Sequence, residues 1–356
     1  MNLIQKFKIS ADEVLNSYNF MVKSDVIYAA SVPTEMYEKN YKNNYNKVVY
    51  RQNDHTLFKT TVLNIKENDI IFCNTFFLKQ LFQHLNKINN FKNITLITHQ
   101  ADLKINKKLF KLKPKCISKW YSVNVEYKHD SLIPIPLGIA NTKNTKNVIY
   151  EDFEKQKKLN RVMQPRIFSS FNINTNYFHR VKLLKIIEKD EYLKAFNLDL
   201  DSYIDLLTTS KFTLCPWGNG IDSHRFWEAI YAGSIPISLT HIHYKNFESL
   251  PIHLVDNYKL INIQDFKESV VDYKKLTVSW WINQMKKVDN EYKREILKIT
   301  ESEALNQKNI NQYHADIKKL NQRKFFLTIL RKIHKNTVYK VNLYFGKTSE
   351  LEEFSY

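Results

Sequence analysis

Residues 214–238, LCPWGNGIDSHRFWEAIYAGSIPIS, hold three of the five glycines in a 356-residue chain otherwise rich in lysine, asparagine and isoleucine. Residues 211–216 read as a buried strand, 217–221 as a turn and 222–232 as a helix. The SIPIS segment forms the next strand, so the whole is one βαβ unit. The helix has internal support, because Phe226, Ala229, Ile230 and Gly233 recur at i, i+3, i+4 and i+7 and share one face. Asp222 or Ser223 suits the N-cap, where a side-chain oxygen accepts from an early backbone N–H. Gly233 suits the C′ position, where φ is often positive.

Gly218 and Gly220 then fall between the carboxyl end of a strand and the start of a helix. A missing Cβ there lets a ligand approach the backbone. Unpaired N–H groups and the helix dipole make that end attractive to an anion, and Arg225 in the first turn adds a full charge. Ligands of open α/β sheets bind outside the carboxyl ends of the strands, which is where this turn lies. Glu228, one turn on, can either accept from ribose hydroxyls or form an i, i+3 ion pair with Arg225. The turn is neither a GxGxxG fingerprint nor a Walker A loop, so these residues indicate an anion site and not yet an enzyme.

Outward from this unit, short apolar runs alternate with helical spacing from about residue 25 to 140: DVIYAA, KVVYR, DIIFCN, NITLITH, SVNVEY and SLIPIPLGIAN. That alternation predicts an α/β fold with mostly parallel sheets. The polar stretch 141–160 reads as a connection, and a second alternation begins at PRIFSSFN, followed by a helix around YFHRVKLLKIIEK. Beyond about 275 the pattern turns helical, through SWWINQMKKVDNEYKREILKIT, up to a frayed tail, TSELEEFSY. The domains expected are 1–150, 151–270 and a helical region 271–356, which would pack back across both. No internal repeat is visible.

The formal charge of +18 predicts attraction to something anionic, although a codon bias toward lysine and asparagine accounts for it equally well. Hydrophobic residues at 43% and aromatics at 13% exclude a disordered chain. Cys73, Cys116 and Cys215 are few, odd in number and without CxxC spacing, as expected in a reducing compartment. No signal-like or membrane-spanning apolar run is visible.

Taken whole, SKFTLCPWGNGIDSHRFWEAIYAGSIPIS closely resembles the donor-binding signature of exostosin-like glycosyltransferases, the family 47 type of GT-B fold. LITHQADLKI, ISKWYSVNVEY, IPIPLGIAN and SSFNINTNYFHR resemble its bacterial and viral branch, so the resemblance covers about residues 90–240. It implies two Rossmann-like domains facing a cleft, with the nucleotide-sugar in the C-terminal one and a glycan or glycolipid acceptor on the N-terminal one. By position, Gly218, Asn219, Gly220, Ser223 and Arg225 would hold the donor diphosphate, Glu228 the ribose, and Arg180 a second phosphate contact. Transfer would be inverting, with neither metal nor cofactor beyond the donor, because cationic groups and a helix N-terminus stabilise the leaving diphosphate. Eukaryotic exostosins are Golgi-lumenal, with an N-terminal anchor and disulfides. This chain shows neither, which fits a cytoplasmic enzyme, peripheral on the inner face of the membrane. A fucosyltransferase-like GT-B enzyme is the alternative, although GNGxDxHR fits that family less well.

Candidates for the general base are Asp222 and His224 on the donor side, and Asp102, His99 and Glu126 at the ends of N-terminal strands. His241 and His243 read as solvated loop residues, since no third ligand stands at metal spacing. Of Trp280 and Trp281, at least one reads as a core anchor. The DLD at 199–201 reads as a helix cap. Residues 317–333 form a basic amphipathic helix, suited either to an anionic membrane or to packing with a solvated basic face. A nucleic-acid-binding module is the non-enzyme reading, but no helix-turn-helix, RRM or zinc-finger signature supports it, and no nucleic-acid partner is expected.

Overall fold

The computed structural model describes residues 1–344 apart from 53, 89–91, 143–146, 157–161, 188–191, 267–270 and 287–296; of 334–344 it describes only the helical backbone. The expected acidic tail therefore lies outside the described residues. The chain divides into two compact units, Met1–Glu301 and Ser302–Tyr356. The first is mixed α/β, built on two main sheets. The second contains the helix Glu303–Tyr344. Among the described residues no helix is long and apolar enough to cross a membrane.

Among the described residues the strands are β1 Val26–Pro33, β2 Asn46–Gln52, β3 His55–Thr60, β4 Val62–Ile65, β5 Ile70–Asn74, β6 Ile94–His99, β7 Ile117–Ser122, β8 Leu132–Pro134, β9 Gln164–Ser169, β10 Tyr192–Lys194, β11 Ser210–Leu214, β12 Ile235–Leu239, β13 His253–Val255 and β14 Leu297–Thr300. The first sheet runs β2-β3-β1-β5-β6-β7-β8. From β1 to β8 its neighbours are parallel, and the β2/β3/β1 edge is antiparallel. Every residue of β5 and β6 is buried, as continuous apolar runs require when helices cover both faces of a parallel sheet. The helix Leu78–Leu85 follows β5 and buries Leu78, Leu81, Phe82 and Leu85. At the far edge β2 is largely exposed and carries Lys47 and Arg51, which discourage pairing with another chain.

The second sheet, β10-β9-β11-β12-β13, is parallel throughout. One hydrophobic cluster runs from Phe20, Val123 and Ile135 through Phe168 to Trp227, Tyr231 and Trp281. Tyr231 adds a polar tie: its hydroxyl accepts from Leu15 N at 2.9 Å and donates to Leu276 O at 2.7 Å.

Each main sheet has a point where the chain turns in opposite directions from adjacent parallel strands, and such a point opens a crevice at the carboxyl ends. In the first sheet it lies between β1 and β5, and Gln100, at φ 67°, fills it. The Gln100 amide accepts from Ser31 N at 2.8 Å and donates to Ser31 O at 2.9 Å and Ser17 Oγ at 3.2 Å. In the second sheet it lies between β9, which leads to β10, and β11, which leads to β12 on the other side.

Several local expectations change. SVNVEY is not a strand: β7 ends at Ser122, and Asn124 turns to φ 55°, a left-handed conformation that Asn tolerates better than most residues. Strands β3 and β4 were not anticipated. The polar stretch 141–160 contains a helix, Tyr150–Lys155. Among the described residues of SWWINQMKKVDNEYKREILKIT the helix is Val278–Met285, and Leu297–Thr300 instead pairs antiparallel with β4, half-burying alternate residues.

Candidate functional site

The crevice between β9 and β11 is bordered by two helix starts. β9 leads through 170–176 to the helix Tyr177–Leu184, which carries Arg180. β11 leads through 215–223 to the helix His224–Ala232, which carries Arg225. Because the strands are parallel neighbours, both connections emerge on the same side, and the arginines approach one another.

Arg180 is 3% exposed. Its guanidinium donates to the carbonyls of Trp217 at 3.0 Å, Pro216 at 2.9 Å and Asn172 at 2.6 Å, and to Thr175 Oγ1. Asn176 Nδ2 adds a bond to Gly218 O at 3.1 Å. The turn is thus held through its carbonyls. Its N–H groups at Gly218, Asn219 and Gly220, and those of His224 and Arg225 at the helix start, find no acceptor among the described residues. Burial, and then the neighbouring charge of Arg225, push the Arg180 pKa down to about 9, which leaves it cationic at neutral pH. Arg225 Nε is buried without a hydrogen-bond partner. The Arg225 charge is drawn toward Tyr203, its guanidinium 6.0 Å from that ring, and toward Glu228. Two cations beside free N–H groups make a strong anion-binding environment.

The glycines do less for a ligand than their clustering predicts. A Cβ on Gly220 would sit 2.6 Å from Asn124 Oδ1, so that space is taken by Asn124, a buried side chain. Asn124 Oδ1 accepts from Ile221 N at 2.8 Å and Asp222 N at 3.1 Å, and Asp222 Oδ1 accepts from Ser223 N at 2.8 Å. The part of the turn expected to face a diphosphate therefore shrinks to 218–220. Ser223 occupies the N-cap position but its side chain makes no cap bond, whereas Gly233 closes the helix at φ 87° as expected.

Asp222, expected as a cap or a base, is an anchor. It is 3% exposed, and Oδ2 accepts from Leu137 N at 2.9 Å and Trp227 Nε1 at 2.8 Å, with His243 Nε2 at 3.2 Å. These bonds leave no room for an acceptor hydroxyl. His243 is accordingly buried, not solvated, and bridges Asp222 to Val125 N. Glu228 is 2% exposed and accepts from Tyr203 Oη at 2.8 Å and Val148 N at 3.2 Å. Burial holds its carboxyl above the usual carboxylate range, offset in part by Arg225 and His224. Neither the ribose contact nor the short ion pair with Arg225 describes this arrangement.

His224 keeps a free edge. Its Nδ1 lies 2.7 Å from the carbonyl oxygen of Gly138, which can only accept, so Nδ1 carries the hydrogen, and in the neutral ring Nε2 holds the lone pair. Gly138 is itself fixed: at φ 74° a Cβ would lie 1.9 Å from Leu15 O, so only glycine lets this loop sit here. His99 faces the same region but is buried; burial pushes its pKa down to about 4, with a smaller push from His224, and its Nδ1 accepts from Gln100 N at 2.8 Å. Asp102 is exposed on the loop after β6, beside Ala101, whose carbonyl receives Asn124 Nδ2 at 3.4 Å. Glu126 pairs with Lys104 at 2.7 Å.

Sequence reasoning missed Asn124, Tyr203 and Trp217. Asn124 left a signal, an amide residue interrupting an apolar run. Trp217 stacks with His179 at 6.3 Å and 18°, and the indole Nε1 and His179 Nε2 are buried without partners.

No curated protein matches the chain. Residues 172–333, however, match the family described as the RXYLT1 C-terminal domain, a xylosyltransferase family. The match does not name the exostosin-like branch; glycosyl transfer is what the two share. The segment carrying Arg180, the 218–220 turn, His224 and Arg225 is thus similar to a glycosyltransferase domain.

Proposed function

We propose that the protein is a nucleotide-sugar-dependent glycosyltransferase of GT-B arrangement that moves a pentose, xylose by analogy with the matching family, onto a hydroxyl of a glycan or lipid-linked acceptor. The observation that carries this reading is the pairing of Arg180 and Arg225 across the crevice, with Arg225 Nε unspent and the N–H groups of 218–220 open. A diphosphate supplies the anionic acceptors that this arrangement lacks. In the reaction the acceptor oxygen attacks the anomeric carbon as its bond to the diphosphate breaks, and the charge on the departing oxygen falls to the arginines and the helix start. His224 Nε2 takes the acceptor proton, because the Gly138 carbonyl holds Nδ1. A single displacement of this kind inverts the anomeric centre. The flat Trp217–His179 face lies beside Arg180, in reach of a base or sugar ring.

Two arginines and a helix start can replace a divalent cation at the leaving group, so turnover is expected without one. The test is thermal stabilisation by a panel of nucleoside diphosphates and their sugars, UDP and UDP-xylose included, followed by release of UDP from the stabilising donor with and without EDTA. A ligand at 100 times its dissociation constant adds about 2.7 kcal/mol. Stabilisation and EDTA-resistant turnover are expected. Turnover abolished by EDTA and restored by manganese overturns the metal-free reading, and no stabilisation by any nucleotide overturns the site.

A further inference from the structure

The helix Glu303–Tyr344 contains a surface that the donor site does not use. From Asn321 to Leu330 every side chain is exposed. Phe325 is 69% exposed, Phe326 61% and Ile333 56%, with Ile329 and Leu330 also exposed. At about 100° per residue these five fall within an arc of roughly 140°. Lys324 and Arg331 fall on the opposite side and Lys332 at the flank of the apolar arc, while Lys318, Lys319 and Arg323 extend the charge one to two turns toward the N-terminus. Residues 317–333 contain these six cations and no acidic residue.

We propose that this face docks the protein on an anionic lipid surface, lying in the plane of the interface with Phe325, Phe326, Ile329, Leu330 and Ile333 among the acyl chains and the flanking cations at the headgroups. Contiguous large apolar side chains left exposed to water need an apolar phase or a partner to cover them. The charge selects among the occupants. A second copy would bring another six cations and no acid against the first, so self-association through this face works against itself. A nucleic acid answers the charge but offers no apolar phase for Ile329, Leu330 and Ile333. A bilayer containing acidic lipids answers both, which is the pattern of an interfacial helix. The helix is not apolar enough to span, so it lies on the surface.

The experiment is co-sedimentation of the full chain with vesicles of phosphatidylcholine alone and with about one-third phosphatidylglycerol, at low and high salt. Binding to the anionic vesicles only, weakened by salt, is expected. The variant Phe325→Ser/Phe326→Ser/Ile329→Ser should weaken it on the order of tenfold, and Lys324→Gln/Arg331→Gln/Lys332→Gln should remove most of the dependence on acidic lipid. All six positions lie outside the donor site, and five of them are exposed, so the response to UDP in the thermal assay reports that the variants fold. Equal binding to neutral vesicles, no binding to either, a concentration-dependent dimer abolished by the serine variant, or tight binding to random duplex DNA without vesicle binding each overturns the proposal.

Discussion

The two main sheets of the Met1–Glu301 unit open equivalent crevices and treat them differently. Between β1 and β5, Gln100 reaches in and spends its amide on Ser31 and Ser17, while His99 behind it accepts the Gln100 N–H. Between β9 and β11, Arg180 is spent on carbonyls, but Arg225 Nε and the N–H groups of 218–220 are not. Topology supplies a crevice in both cases. Whether it becomes part of the core or a binding site depends on whether the polar groups lining it are satisfied by the chain itself. A buried donor left unpaired costs about 1–3 kcal/mol, so a chain that keeps such donors gains most from a ligand that completes them.

The largest expected effect concerns His99 and the filled crevice. Its pKa is depressed to about 4 in the folded chain against 6.5 unfolded, so the unfolded state binds the extra proton. Its contribution is intact above pH 6.5 and is lost as pH falls toward 4, to a total of about 3 kcal/mol. Urea unfolding at pH 7 and pH 4.5 should show this loss, and His99→Gln should reduce the acid sensitivity. If the variant keeps the same dependence on pH, the buried neutral ring is not its source.

The next effect separates binding from stability. Arg225→Ala should weaken nucleoside diphosphate binding by about 1.5–3 kcal/mol, or roughly 10- to 150-fold, while the protein still unfolds cooperatively. Calorimetric titration with UDP measures it, and unchanged affinity would remove Arg225 from the site. The smallest effect is the mirror image. Gln100→Ala should lower stability by about 1 kcal/mol and leave UDP affinity alone. A large loss of nucleotide binding from Gln100→Ala would mean that the first crevice is not merely filled.

The central βαβ unit was legible because its signals are local. Gly233 closes its helix and Asp199 caps Leu200–Thr209, with Oδ1 accepting from Ser202 N at 2.9 Å, as residue type and spacing predict. The strand β3, its antiparallel pairing with β2, and the strand β14 were not legible, since short half-exposed strands resemble polar loops or helix faces until a partner is known. Asp222 and Glu228 show the same limit at the site. Both stand at positions suited to contact a ligand, yet Leu137, Trp227 and His243 claim one, and Tyr203 and Val148 the other.

Sequence by itself determined the alternation of strands and helices, the turn and helix start at 217–225, and the cationic amphipathic stretch 317–333, because periodicity, capping and charge act over a turn or two of chain. Tertiary structure decided which of those groups remain free. Gly220 is filled by Asn124, which holds Ile221 N from 97 residues away; Asp222 is held by Leu137, 85 residues away; and Arg180 clamps Pro216, 36 residues away. Pairing buried donors and acceptors is a property of neighbours in space, and only the fold brings those neighbours together.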